Sequence, residues 1–174
     1  MTVTVTKLEA ASRQLDTAIR LFFSGGDTVS VHTLAVAAAN IFADIAERQN
    51  AGVSWRTRVR DDSGLSTKEL KRILHDEWNF FKHADRELNA TLQFNELVSE
   101  DVMFMAVLDC GDLQSTTCPM QAFQIWYIAA RPEHFLGDEQ IFADARRVLP
   151  DISQLERSQK IQRGALLLNN IAPE

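Results

Sequence analysis

The chain has 174 residues, 45% hydrophobic and 24% charged, a balance that excludes wholesale disorder, collagen-like repeats and a disulfide-framework miniprotein. Its 18 Lys and Arg against 24 Asp and Glu leave a net charge of −6, which argues against gripping duplex nucleic acid through bulk charge. With only 7 Gly and 4 Pro to interrupt it, the chain has room for long helices in a single domain.

The opening stretch Met1-Thr-Val-Thr-Val-Thr-Lys7 has neither the basic nor the apolar region of a secretory leader, so a cytoplasmic protein is expected. Leu8, Ala11, Leu15, Ile19 and Phe22 then recur at three- and four-residue spacing, which lines one face of a helix. Ser24-Gly25-Gly26 stops it, and Asp27 or Thr28 caps the next helix. There Val31, Leu34, Ala38, Ile41, Phe42 and Ile45 form a wide apolar stripe. The pair should form an antiparallel hairpin, and Ala37 to Ala39 suggest a close helix–helix approach that a second copy could use. Asn40 and Asp44 interrupt the apolar run, so no membrane span is expected.

Residues 50 to 65 read as an irregular link. Within it Trp55-Arg-Thr-Arg-Val-Arg60 sets an aromatic beside three guanidiniums, a combination suited to RNA, although Asp61 and Asp62 follow at once. Ser66-Thr-Lys-Glu69 is a capping box for a helix reaching about His83 or Arg86. A second irregular link covers 87 to 95, and Asn95 can cap a helix ending near Gly111. Pro119 suits the first position of a helix that Pro132 ends. Another runs from Asp138 to Leu149, and Ser153-Gln-Leu-Glu156 repeats the capping-box pattern before a last helix to Leu168. Cys110 and Cys118 have no His or other Cys near them and read as reduced thiols. The expected fold is an all-α single-domain bundle of about seven helices.

The helix after Ser66 carries the most chemistry. At 100° per residue, Leu70, Ile73, Leu74, Trp78, Phe81 and Ala84 share a core-facing stripe. Arg72, His75, Asp76, Asn79, His83 and Arg86 gather on the opposite face. Imidazoles move protons near neutral pH, and Arg and Asn can hold phosphate or carbonyl oxygen. Alternatively, this is the solvated face that any amphipathic helix has. His32 and His75, from separate helices, are the pair for a metal-dependent alternative, although four scattered histidines predict no bound metal.

Asn79-Phe-Phe-Lys-His83-Ala-Asp-Arg86, with Leu15-Asp-Thr-Ala-Ile-Arg-Leu-Phe-Phe23 and Ser30-Val-His-Thr-Leu34, resembles a family of uncharacterised bacterial helical proteins over most of residues 7 to 95. More distantly, Trp78-Asn79-Phe-Phe-Lys-His83 is similar to the Arg-polar-x3-His motif of HEPN domains. In catalytic members of that superfamily, Arg and His face a cleft between two protomers. They promote metal-independent attack of a ribose 2′-hydroxyl on phosphate. Asn79 and His83 match the polar and histidine positions, while Trp78 stands where the family has Arg. The resemblance therefore implies a homodimeric, cofactor-free binding protein with a protein or RNA partner. The alternatives are a divergent ribonuclease using Asn79, His83 and Arg86, or the metal-dependent bundle using His32 and His75.

Overall fold

The computed structural model describes residues 2–49, 54–64, 66–83, 88–113, 115–134 and 138–171, without the side chains of residues 62, 67, 70, 71, 73–75 and 134. The described residues form eight α-helices, two 3-10 turns and no strand. The helices are α1 Lys7–Phe23, α2 Thr28–Arg48, α3 Trp55–Ser63, α4 Thr67–Lys82, α5 Leu97–Asp112, α6 Cys118–Ala130, α7 Glu139–Val148 and α8 Arg157–Ile171. The all-helical expectation holds.

The hairpin owes its shape to its caps. Thr6 and Glu9 form a capping box at the start of α1, which periodicity alone did not mark. Gly25, at φ +69°, takes the left-handed conformation that turns the chain out of α1. Asp27, not Thr28, caps α2, its carboxylate accepting from the Ser30 N–H at 2.7 Å. The two helices pack on each other more extensively than any other pair, and so short a link makes them run in opposite directions.

α2 is the hub, packing on α1, α5 and α4. It is long and apolar enough to cross a membrane by length and composition. Much of its apolar surface is taken up by this packing, since Val31, Ala35, Val36, Ala38 and Phe42 are all buried. Ala38 is fully buried and Ala37 and Ala39 half-buried, so most of the alanine stripe serves the close approach of helices inside the bundle. Beside α2, an aromatic cluster of Phe22, Phe23, Phe123 and Trp126 joins α1 to α6 in edge-on and tilted contacts. The Trp126 indole N–H donates to the Lys160 carbonyl at 2.7 Å, which fixes α8 against α6.

The region expected as a loop over 50 to 65 contains α3, which raises the helix number above seven. Its partners come from far along the chain, so no local apolar period announces it. Ser54 accepts from the Thr57 N–H at 3.2 Å, and the Asp109 carboxylate of α5 accepts from the Trp55 N–H at 2.8 Å. Two donors left over at a helix start are thereby satisfied. Arg56 reaches Asp44 and Glu47 of α2 at 2.9 Å each. A second correction concerns α8. Ser153 lies in the 3-10 turn Ile152–Gln154, and it is the Gln159 side chain that reaches back to the Glu156 N–H, at 3.2 Å. At α4 the cap is the one expected, Ser66 with Glu69. At α5 the N-cap is instead Glu96, without a side-chain bond, and Asn95, one residue earlier, accepts from the Leu97 N–H at 3.1 Å. α6 begins at Cys118 behind a Thr117 cap, one residue before Pro119.

Candidate functional site

α4 packs chiefly on α2, at the edge of the bundle. On its inner side Phe81 meets the rings of His32 and Phe94 edge-on, at 5.9 and 5.4 Å. Trp78 packs against the core as its position suggested but is only partly buried, with the Lys82 ammonium 3.4 Å above its ring. On the outer side Arg72, Asp76 and Asn79 are exposed, and Phe80 beside them is 38% exposed. Among the described residues no hydrogen bond or ion pair holds these polar side chains.

The helix ends at Lys82. His83 is its C-cap, in extended conformation at φ −127° and ψ 127°, with its N–H donating to the Asn79 carbonyl at 3.1 Å. His83 is exposed and leaves the helical path on which Asn79 lies. Arg86 and the His75 side chain lie outside the described residues. What the structure brings together on one face is therefore Arg72, Asp76, Asn79 and Phe80. That set can bind through charge, an amide and an aromatic edge.

The other histidine of the metal alternative is deeply placed. His32 is fully buried on α2, boxed by the rings of Phe81 and Phe94. Its Nδ1 shares a 3.1 Å hydrogen bond with the Ser99 hydroxyl of α5, while its Nε2 is buried without a hydrogen-bond partner. Burial alone pushes its pKa down to about 4, so the ring is neutral at pH 7. No group of three or more His, Cys, Asp or Glu among the described residues is placed to hold a metal ion.

The basic stretch of α3 is largely occupied from within. Arg56 pairs with Asp44 and Glu47, Arg60 with Asp61 at 2.7 Å, and Arg58 lies over the Trp55 ring. Sequence reasoning missed a further polar knot where α5, α6 and α8 meet. Glu100, 2% exposed, is held by Arg157 at 3.0 Å and Arg131 at 3.3 Å, and the Tyr127 hydroxyl donates to Asp101. Burial pushes the Glu100 carboxyl above its ordinary range, against the pull of Arg157 and Arg131. Glutamate among the apolar residues of α5 is the one sequence signal that could have flagged it. No family model, curated protein or solved structure matches the chain.

Proposed function

We propose that this chain is a helical binding protein, HEPN-like in type, that acts in the cytoplasm and pairs with a second copy of itself through the outer face of α4. The observation that carries this reading is the exposed set Arg72, Asp76, Asn79 and Phe80 on a helix whose other face is spent on α2. Two such helices crossing antiparallel about a two-fold axis bring each Arg72 opposite the other copy's Asp76, with the two Phe80 rings flanking. A face with both signs one turn apart is complementary to itself. The free thiol of Cys118, exposed to solvent, suits a reducing compartment.

Sedimentation velocity across a concentration series tests the pairing. The expected result is a monomer–dimer equilibrium that Asp76→Arg abolishes and that Arg72→Asp with Asp76→Arg restores. A monomer at every concentration, or a dimer indifferent to Asp76→Arg, overturns it. An RNA partner is measured in parallel by fluorescence anisotropy with single-stranded oligonucleotides. Since Arg56 and Arg60 are ion-paired, binding should be weak and strongly reduced by salt.

A further inference from the structure

Away from α4, a cavity of about 200 Å³ opens between the end of α1, the start of α2 and the first turns of α5 and α8. Its apolar walls are Phe22, Val31 and Ile161, and one side is the bare backbone of Gly25 and Gly26. A side chain at Gly25 would meet nothing within 4 Å, so the turn leaves this side open. Polar groups enter at few points: the hydroxyls of Thr28 and Ser99, and the charged pair Glu96 and Arg157.

Three features narrow what the cavity accepts. The first is size. An apolar cavity of roughly 150 Å³ is enough to take up benzene. The second is charge. Arg157 already bonds Glu96 and Glu100 at 3.0 Å each, and Arg131 supplies the second cation to this knot. The two charged residues that line the cavity, Glu96 and Arg157, are already paired with each other, so neither an anion nor a cation gains a partner there without breaking that pair. The third is the floor. Ser99 is 3% exposed, and its hydroxyl carries one donor and two acceptor positions. His32 Nδ1 uses one of them. In either tautomer of His32, the Ser99 oxygen keeps the capacity to bond a group in the cavity it lines. Arg157 also lies over the Phe22 ring, its Cζ 6.0 Å from the centroid, so the wall is aromatic and cationic together.

We infer that this cavity is a binding site for a small, neutral, aromatic molecule of phenol to indole size, whose single hydroxyl or N–H group bonds Ser99. The ring fills the space between Phe22, Val31 and Ile161, and the polar group is the one that water would otherwise hold at the cavity floor. The site is separate from the α4 face, so neither proposal depends on the other.

Phenol, toluene and benzoate titrated into the 15N-labelled full chain test this, followed by amide shifts of Gly25, Gly26 and Ser99. Phenol should bind at one per chain with millimolar affinity or better, as expected for so few atoms. Toluene, which has no hydrogen-bonding group, should bind about tenfold more weakly, and benzoate more weakly than toluene. Ile161→Trp should fill the space and abolish the shifts. Ser99→Ala should bring phenol down to the affinity of toluene. If Ser99→Ala does not fold, the phenol-to-toluene ratio and Ile161→Trp still decide. No saturable shift with phenol, binding unaltered by Ile161→Trp, or benzoate binding as well as phenol would each overturn the inference and leave a cavity that holds only water.

Discussion

The α2–α5 centre of the bundle and the α3–α4 arm along its edge are both helical, yet they are held by different physics. At the centre, Phe42, Met103, Phe123 and Trp126 are all at most 1% exposed. Burying each such side chain contributes about 1.5–3 kcal/mol through area removed from water. The arm has no comparable core. α3 is fixed by one N–H bonded to Asp109 and by ion pairs of Arg56, and α4 by Phe81 against His32. Those anchors are ionisable groups, from the buried His32 and Asp109 to the more exposed Asp44 and Glu47, whereas the four central side chains just named are uncharged. The apolar centre should therefore fail on loss of volume, and the arm should respond more to pH than to volume.

The largest effect expected is at the centre. Phe42→Ala should cost about 3–5 kcal/mol, from lost transfer energy and the cavity left behind. Trp78→Ala in the arm should cost less, about 1–2 kcal/mol, because that ring is only partly buried at the rim of the core and Lys82 covers one face of it. Urea denaturation of both variants measures the difference. Equal costs would mean that the arm shares the core and would remove the contrast.

The same contrast explains what the sequence made legible. α1 and α2 were readable because their apolar residues repeat at helical spacing and their caps are local. Leu15, Ile19 and Phe42 are buried as that spacing predicts. α3 was not, because Trp55-Arg-Thr-Arg-Val-Arg60 has no apolar period and its stabilising partners, Asp44, Glu47 and Asp109, lie elsewhere in the chain. On α4, spacing placed Arg72, Asp76 and Asn79 correctly on the outer side. It could not show that the helix stops before His83, since nothing at Lys82 or His83 is a helix breaker. The His32–Ser99 contact spans 67 positions and has no local signature at all.

A pH series sharpens the comparison, because the two buried anchors titrate in opposite senses. His32 has a folded pKa near 4, below the ordinary 6.5. The unfolded chain therefore takes up a proton that the folded chain refuses, and stability is lost as pH falls from about 6.5 to 4. Asp109 is raised by burial to about 6 from the ordinary 3.8, so the folded chain takes up its proton first and stability is gained over nearly the same window. The two contributions oppose each other over that window, so together they change stability less than either would alone. Single variants should unmask each one. As pH falls from 7 to 4, His32→Leu should gain stability relative to the parent, and Asp109→Asn should lose it. Thermal unfolding at several pH values gives both slopes, and parallel curves for either variant would break the assignment.

A smaller effect separates packing from propensity at the centre. Gly164 lies in α8, where alanine is the better helix former by about 0.8–1 kcal/mol. A Cβ there would sit 2.0 Å from Cε1 of Phe23, whose ring is wedged against Phe22, Phe123 and Trp126. The overpacking cost, about 1–3 kcal/mol, should outweigh the helix gain. Gly164→Ala should therefore lower the unfolding temperature. A rise would show that Phe23 has room to step aside and that the aromatic cluster is looser than its geometry implies.

The smallest effect belongs to the outer face of α4, and it decides whether that face is spare. Asn79 is exposed, and no described side chain bonds it. Removing its amide should change stability by less than about 0.5 kcal/mol, with the better helix propensity of alanine offsetting any loss. Its effect on association should also be modest, because a rim amide contributes far less than a charge pair or an aromatic ring. Asn79→Ala should therefore leave unfolding unchanged and weaken the dimer only slightly, while Asp76→Arg abolishes it at the same stability. That separation is the signature of a surface shaped for contact. A stability loss above about 1 kcal/mol in Asn79→Ala would falsify it, because the amide would then be holding the arm together instead of facing a partner.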